Sequence, residues 1–430
     1  MPPPVVSPAE GPFPALAPAD QAAVRRSNLS LVLGWLRVAG PGSRTEITAG
    51  TGLNKATVSS LVAELTDRGL VRETGERQFG SVGRPARVLE LDGHGVGALG
   101  LEANVDYLAA YGTDLAGRVL VNRRVSADVV GSSADDALDR LVQLARSALA
   151  QMGAHGARVA GVGTAIPGLV DVTAGAVLFA PNLGWHDVPV ARRIGAGLDL
   201  GPEVPVLVDN DANLSALAEF RQGGEAGTPD LVYLTGEVGV GGGVIVDGRL
   251  LRGADGFGGE VGHMALDPTA GELCGCGRRG CWETKVSLAA LVRHCLPDAP
   301  YGAGAPVRDP EDRVAEVLRR AGVGDARCLN ALTEIGRWLG VGASVLVNLV
   351  NPRVIVLGGY FARVAPYLLD TAERELARHI ISASGGGARP VRIVPSKLGF
   401  TAAVRGGAAV AVDAVFADPT RVAVRPEVTA

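Results

Sequence analysis

Three cysteines within eight positions, Cys274, Cys276 and Cys281, with His263 eleven residues upstream of the first, constrain this 430-residue chain more than any other feature. One imidazole and three thiolates make a complete tetrahedral ligand set for a structural Zn2+ ion and leave no position open for water. The Cys-x-Cys step needs a flexible spacer to aim both sulfurs at one ion, which Gly275 supplies. Gly277 and Gly280 then let the chain curl back to Cys281. Free thiols beside a core histidine are the alternative, but unrelated thiols rarely cluster at ligand spacing. The segment 263–281 is therefore expected to be pinned by His263, Cys274, Cys276 and Cys281, with the metal a scaffold rather than a catalyst.

Only five cysteines occur, and three are committed to the cluster, which points to a reducing compartment and hence the cytoplasm. The amino terminus has no basic stretch followed by an apolar one, as a secretory signal requires. No apolar run is expected to span a membrane: the best candidate, 341–359, is cut by Asn348, Asn351, Pro352 and Arg353. Charge is uneven. Residues 21–91 carry ten Lys/Arg against six Asp/Glu, or +4, so with −4 for the whole chain the remainder carries −8. A small basic module on a larger acidic body suggests that only the first part meets a polyanion.

Residues 1–20 hold seven prolines and little to pack, and read as a disordered leader. From Ser27, Leu29, Val32, Leu33 and Leu36 recur on one helical face until Gly40-Pro41-Gly42 breaks it. A short helix follows over 44–49, then a turn at 50–52. A third helix is capped by Asn54 and carries Val58, Leu61, Val62 and Leu65 at i, i+3, i+4 and i+7. That spacing turns Lys55, Thr57, Ser59 and Ser60 outward, a set suited to a helix lying in a DNA major groove. Two strands, 70–72 and 87–91, flank a basic, glycine-rich connection whose Arg84 can reach phosphates or a minor groove. Residues 21–91 thus read as a winged helix-turn-helix.

Beyond residue 95 the pattern becomes α/β. Three strands are expected over 97–102, 108–113 and 118–121, then a helix capped by Ser133, a strand over 159–165, and another over 204–208 running into Asp209-Asn210-Asp211. Residues 231–251 repeat the opening pattern, as a duplicated α/β lobe with a cleft between its halves would.

Several motifs together resemble the ROK family of repressors, open reading frames and sugar kinases. They are Ala165-Ile-Pro-Gly-Leu-Val-Asp171, Pro181-Asn-Leu-Gly-Trp185, Asp209-Asn-Asp-Ala-Asn213, Val240-Gly-Gly-Gly243, Gly259-Glu-Val-Gly-His263 with the cysteine cluster, and Leu357-Gly-Gly359. The resemblance covers nearly everything from Val96 onward and implies an actin-like sugar kinase (ribonuclease H-like) fold of two α/β lobes over 95–430. It also implies a sugar in the cleft, contacted by Asn210, Asp211, Glu260, His263 and Glu283, with Asp211 matching the base of the family's kinases. Carboxylates and amides suit adjacent sugar hydroxyls, although Asn210-Asp211 also reads as a helix cap.

The chain departs from the kinases where phosphate is handled. The opening Asp-x-Gly-Gly-Thr pattern stands here as Glu102-Ala-Asn-Val-Asp106, and the later Gly-Thr-Gly as Glu237-Val-Gly239. A carboxylate repels the anion that backbone amides and a hydroxyl would bind, and phosphoryl transfer depends on positioning and charge neutralisation. The expected protein is a sugar-responsive repressor without efficient kinase activity. It would bind a roughly palindromic operator as a homodimer or homotetramer and respond to a sugar or sugar phosphate. The alternative is an ATP-dependent, glucokinase-like sugar kinase with an added amino-terminal domain.

Overall fold

The computed structural model describes residues 20–77, 86–297, 309–381 and 390–424, which fall into two units, Met1–Leu91 together with Phe416–Ala430, and Asp92–Val415. The leader expected over 1–20 lies outside the described residues except for Asp20, and Arg84 also lies outside them.

In the first unit Asp20 caps α1 (Gln21–Ala39) by accepting from the Ala22 amide at 2.9 Å, so the helix begins six residues before Ser27. Its buried stripe is Leu29, Val32, Leu33 and Leu36, as their spacing predicts. α2 (Arg44–Thr51) opens with a capping box between Ser43 and Glu46, and Gly52 closes it in the left-handed conformation. Asn54 starts α3 (Lys55–Asp67) by accepting from the Thr57 amide, and Val58, Leu61, Val62 and Leu65 are buried. β1 (Val71–Arg77) and β2 (Ala86–Leu91) pair antiparallel, and Gly42 bridges to Leu89. Residues from the far end of the chain complete this unit. Arg68, following α3, donates to the carbonyls of Thr420 (3.0 Å) and Val422 (2.6 Å), and the Arg37 guanidinium lies 4.5 Å over the Phe416 ring.

The second unit uses one strand plan twice. β3 (Val96–Ala103), β4 (Tyr107–Asp114) and β5 (Val119–Ser126) form an antiparallel meander. After α4 (Ala134–Ala154), β6 (Arg158–Ile166) joins β3 in parallel. Short strands β7 (Leu169–Asp171), β8 (Ala176–Ala180) and β9 (Trp185–Val188) make a separate sheet, and α5 (Val190–Leu198) leads to β10 (Val206–Asn210), parallel to β6. The order is β10-β6-β3-β4-β5.

Past α6 (Asp211–Gln222) the plan recurs. β11 (Leu231–Gly236), β12 (Val240–Val246) and β13 (Arg249–Leu250) form the meander. Helices α7 (Glu283–Val286), α8 (Leu288–Cys295), α9 (Pro310–Gly322) and α10 (Ala326–Val350) follow. β14 (Val354–Gly359) then joins β11 in parallel, α11 (Tyr360–His379) intervenes, and β15 (Arg392–Pro395) joins β14, giving β13-β12-β11-β14-β15. Matching orders and strand senses in the two sheets are the duplication suggested by residues 231–251.

α12 (Ala402–Ala417) lies against the first sheet at backbone distance. A Cβ on Gly100 of β3 would come within 1.9 Å of the Val404 carbonyl, and one on Gly163 of β6 within 2.0 Å of the Gly407 carbonyl. Gly406 packs as closely on the Leu214 carbonyl of α6. With its preceding turn, Gly399–Ala417 is long and apolar enough to cross a membrane by length and composition, which corrects the expectation that no run qualifies. Two-thirds of it is buried in the protein: the apolar character covers a helix packed on all sides rather than on one stripe.

Candidate functional site

Because β10 ends at Asn210 and α6 begins at Asp211, one strand-to-helix junction delivers both side chains to the edge of a cavity of about 280 Å3, lined by loops of both sheets. The strand runs two residues later than expected, and that shift creates the junction. Asn210 does cap the helix, its Oδ1 accepting from Ala212 and Asn213, while its amide donates to the Gly168 carbonyl at 3.0 Å. It therefore serves as a cap and lines the cavity as well. Burial lifts the Asp211 carboxyl to about 6, with the nearby charge of Asp209 adding to the effect; the Ala212 amide opposes it. Asp209 is clasped by Arg252 at 2.6 and 3.1 Å.

Glu260, His263 and Glu283 line the same cavity, so the five residues matched to sugar contacts converge. Glu283, at the start of α7, accepts from the Val240 amide (3.4 Å), and this ties it to the glycine run of β12. Asn104, Phe179, Asn182 and Arg278, none of them expected at the site from the sequence, also line the cavity. Asn182 sits inside a motif already singled out, but nothing in the local pattern of Phe179 on β8 marks it as a wall of the site.

One ligand atom from each of His263, Cys274, Cys276 and Cys281 lies within 4.8 Å of the others. Nδ1 of His263 is 3.7 Å from the Cys274 sulfur, and the Cys276 and Cys281 sulfurs are 3.7 Å apart. Nε2 faces the other way, 3.9 Å from the Glu260 carboxylate. Three soft sulfurs and one imidazole nitrogen at this spacing fit a metal ion. Gly277 and Gly280 adopt left-handed backbone (φ 84° and 72°), and a Cβ on Gly280 would strike the Asp267 carbonyl at 1.9 Å. Gly275 does not take that conformation, and a Cβ there would meet only Asn182 Oδ1 at an ordinary 3.7 Å, so the loop turns at the other two glycines. Glu283 touches this group too, with Oε1 2.7 Å from the Cys274 sulfur.

Behind the cavity lies a carboxyl network. Glu102, fully buried at the end of β3, accepts from the Tyr107 hydroxyl at 2.6 Å, and Asn104 donates to Glu237 at 2.6 Å. Burial pushes Glu102 up to about 7 and Glu237 well above the carboxylate range, and the Asp211 charge raises both further. The Arg124 guanidinium lies 4.2 Å over the Tyr107 ring and pairs with Asp309 and Glu311. Asn104 and Tyr107 come from the first sheet's region and Glu237 from the loop after β11, so the network joins the two halves.

In the winged helix-turn-helix, Lys55, Ser59 and Ser60 are exposed on α3, while Thr57 is half-buried. Ser59 donates to the Lys55 carbonyl, and Ser60 receives Arg25 at 3.5 Å.

The ROK family model matches residues 98–414, and an IclR helix-turn-helix domain matches residues 29–75. The xylose repressor of Bacillus subtilis (strain 168) is 30% identical over 395 residues, covering 92% of this chain and 97% of the repressor. Among solved structures, a ROK family transcriptional regulator described as a homolog of the E. coli Mlc protein superposes with a TM-score of 0.75 at 26% identity, covering 93% of this chain and 99% of that one. A ROK family glucokinase from Streptomyces griseus, in complex with glucose and AMPPNP, gives a TM-score of 0.61 at 30% identity over 73% of this chain and 98% of that one.

Proposed function

The chain belongs to the ROK family, and from that membership we propose that it is a sugar-responsive transcriptional repressor whose kinase-like unit binds its effector without efficient phosphoryl transfer. The observation that carries this reading is the pairing of an amino-terminal helix-turn-helix with a polar cavity where five sugar-type side chains converge. The similarity to repressors along almost the whole chain supports it.

DNA is held by α3 in the major groove through Lys55, Thr57, Ser59 and Ser60, and Arg84, in the sequence between β1 and β2, contributes a further contact. Ser60 would leave Arg25 on engaging DNA. The protein acts as a homodimer or homotetramer in the cytoplasm, on a palindromic operator. His263, through Nδ1, and the three thiolates would hold Zn2+, which would pin the loop and fix the imidazole tautomer, leaving Nε2 for a sugar hydroxyl. Asn210, Asp211, Glu260 and Glu283 take the remaining hydroxyls. A sugar that favours one closure of the halves over the other alters the operator-binding state; one with equal affinity for both would change nothing.

The similarity to a glucokinase, with Asp211 in the position of a base, favours kinase activity as the second reading. The Glu237-Val238-Gly239 sequence argues against it, because it lacks the hydroxyl and the leading glycine that would help hold a phosphate. The test is a thermal-shift screen of zinc-loaded protein against hexoses, pentoses, amino sugars and their phosphates, followed by operator binding and ADP release with each hit. A stabilising sugar that alters operator affinity, loses its effect in Asp211→Ala and gives no ADP release above background is the expected result. Sugar-dependent ADP release at rates typical of enzymes, about 1 per second or faster, would establish the kinase instead.

A further inference from the structure

Among the described residues of the amino-terminal unit, Glu64 and Glu73 each hold two arginines. Glu64 on α3 pairs with Arg25 of α1 (2.5 Å) and with Arg68 (2.8 Å). Arg68 also donates to the Thr420 and Val422 carbonyls, so this cluster fastens the unit together. The cluster at Glu73, on β1, is built differently. One carboxylate oxygen accepts from Arg44, the first residue of α2, at 2.6 Å, and the other from Arg87 of β2 at 2.7 Å. All three side chains reach solvent, with 33%, 27% and 69% of Arg44, Glu73 and Arg87 exposed.

Ion pairs wetted in this way add little to stability. Their arrangement is the one in which guanidinium groups hold a phosphate: each oxygen of one anion faces its own arginine, and the fork suits carboxylate and phosphate alike. Two guanidinium groups on one carboxylate leave the cluster with positive charge in excess. Arg87 and Arg44 hold the Glu73 carboxyl below its ordinary range, so it stays ionised at neutral pH. Strand alternation fixes where the cluster lies. Glu73 stands opposite Leu89, and Arg87 precedes Leu89 by two residues. Leu89 is fully buried, so both charged side chains leave the hairpin on its helix-packed face. Gly42, just ahead of α2, bridges to the same Leu89. When the second helix of a helix-turn-helix lies in a major groove, the first crosses the DNA backbone. Arg44 opens that first helix, and Arg87 stands beside it at the start of β2.

We propose that Arg44 and Arg87 together grip one phosphate of the DNA backbone, and that Glu73 occupies the phosphate's place while the protein is free. This rests on the reading of the amino-terminal unit as a DNA-binding head. The contact carries no sequence information; it adds affinity for any duplex and helps fix how α3 sits in the groove. Glu73 works against that affinity. Both guanidinium groups must be drawn off its carboxylate, which then remains beside the phosphate and repels it. The carboxylate thereby keeps the head from clinging to DNA of any sequence.

The test titrates the full chain against a random-sequence duplex of about 30 base pairs by fluorescence anisotropy, from about 50 to about 200 mM salt, where backbone contacts dominate. Arg44→Gln and Arg87→Gln should each weaken binding about five- to tenfold at the lowest salt. Combined, they should flatten the dependence of log affinity on log salt by about 1, as loss of one shared phosphate requires. Glu73→Gln keeps the side chain's shape and removes the competing charge, so it should bind the duplex about three- to tenfold more tightly. Thermal melting confirms that each variant is folded. A cluster that served the fold alone would give the opposite sign, since Glu73→Gln loses the same two ion pairs and would bind no better than the parent. That outcome, or a double variant with the parent's salt dependence, would overturn the proposal. Flattening by about 2 would mean two separate phosphates and overturn the shared grip. If the parent binds no duplex even at the lowest salt, the DNA-binding reading itself falls and the grip with it.

Discussion

Glu102 is buried, and its Oε2 has no hydrogen-bond partner among the described residues. Burial outweighs the Tyr107 hydroxyl, and its carboxyl rises from the ordinary 4.5 to about 7. The folded state therefore holds a proton that the unfolded chain releases, and the sign follows: this stability is full below about 4.5 and is lost as pH climbs through about 7. Glu102→Gln should remove that slope. Denaturation midpoints at pH 5 and pH 8 should differ less in the variant than in the parent, by on the order of a few kcal/mol. Equal slopes would place the proton elsewhere in the network. At the metal group, Cys281→Ser leaves three ligands of four. Both that variant and chelator-treated parent should melt about 5–10 °C lower, and adding Zn2+ should restore only the parent. The grouping of His263 with three cysteines was legible because cysteine is rare in this chain and clusters once. Arg278 and Phe179 were not, because an exposed arginine and a strand phenylalanine look the same in sequence whether or not they border a cavity.

Among the elements, those with one buried face announced themselves. α1 and α3 show their core residues at helical spacing, and the first meander shows apolar runs with a turn at Gly117. α12 did not, since Ala and Gly on every side give no stripe; what holds it is backbone against backbone, a contact made between residues far apart in sequence. The short strands β7–β9 were equally silent, as runs of three to five residues carry too little periodicity, whereas α5 does bury Val190, Ile194 and Leu198 at helical spacing. The close approach makes a prediction. Gly163→Ala forces a methyl into the Gly407 carbonyl, and pushing α12 off β6 should cost about 2–3 kcal/mol in chemical denaturation. Gly117→Ala meets no neighbour within 4 Å but strains φ 84° in an exposed turn, and should cost less, about 1 kcal/mol. A Gly163→Ala variant as stable as the parent would mean the helix–sheet spacing is wider than described.

The whole molecule is a DNA-reading unit and a sensor unit encoded in an interleaved way. The first unit takes residues from both chain ends, and Arg68 at the end of α3 is the fastener, donating to Thr420 and Val422 while paired with Glu64. Arg68→Ala should therefore destabilise the DNA-binding unit by about 1–3 kcal/mol and weaken operator affinity. It should leave sugar-induced stabilisation of the other unit unchanged; loss of both would show that the residue acts on the fold at large. This arrangement has a consequence for how the protein comes into being. On the ribosome the helices of the reading head emerge before the sensor unit, and the segment that seats against Arg68 and Arg37 emerges after it. A chain interrupted midway through synthesis would carry a head without its closing piece and no complete sensor. Full affinity for an operator would then be reached only by molecules already able to answer to their sugar.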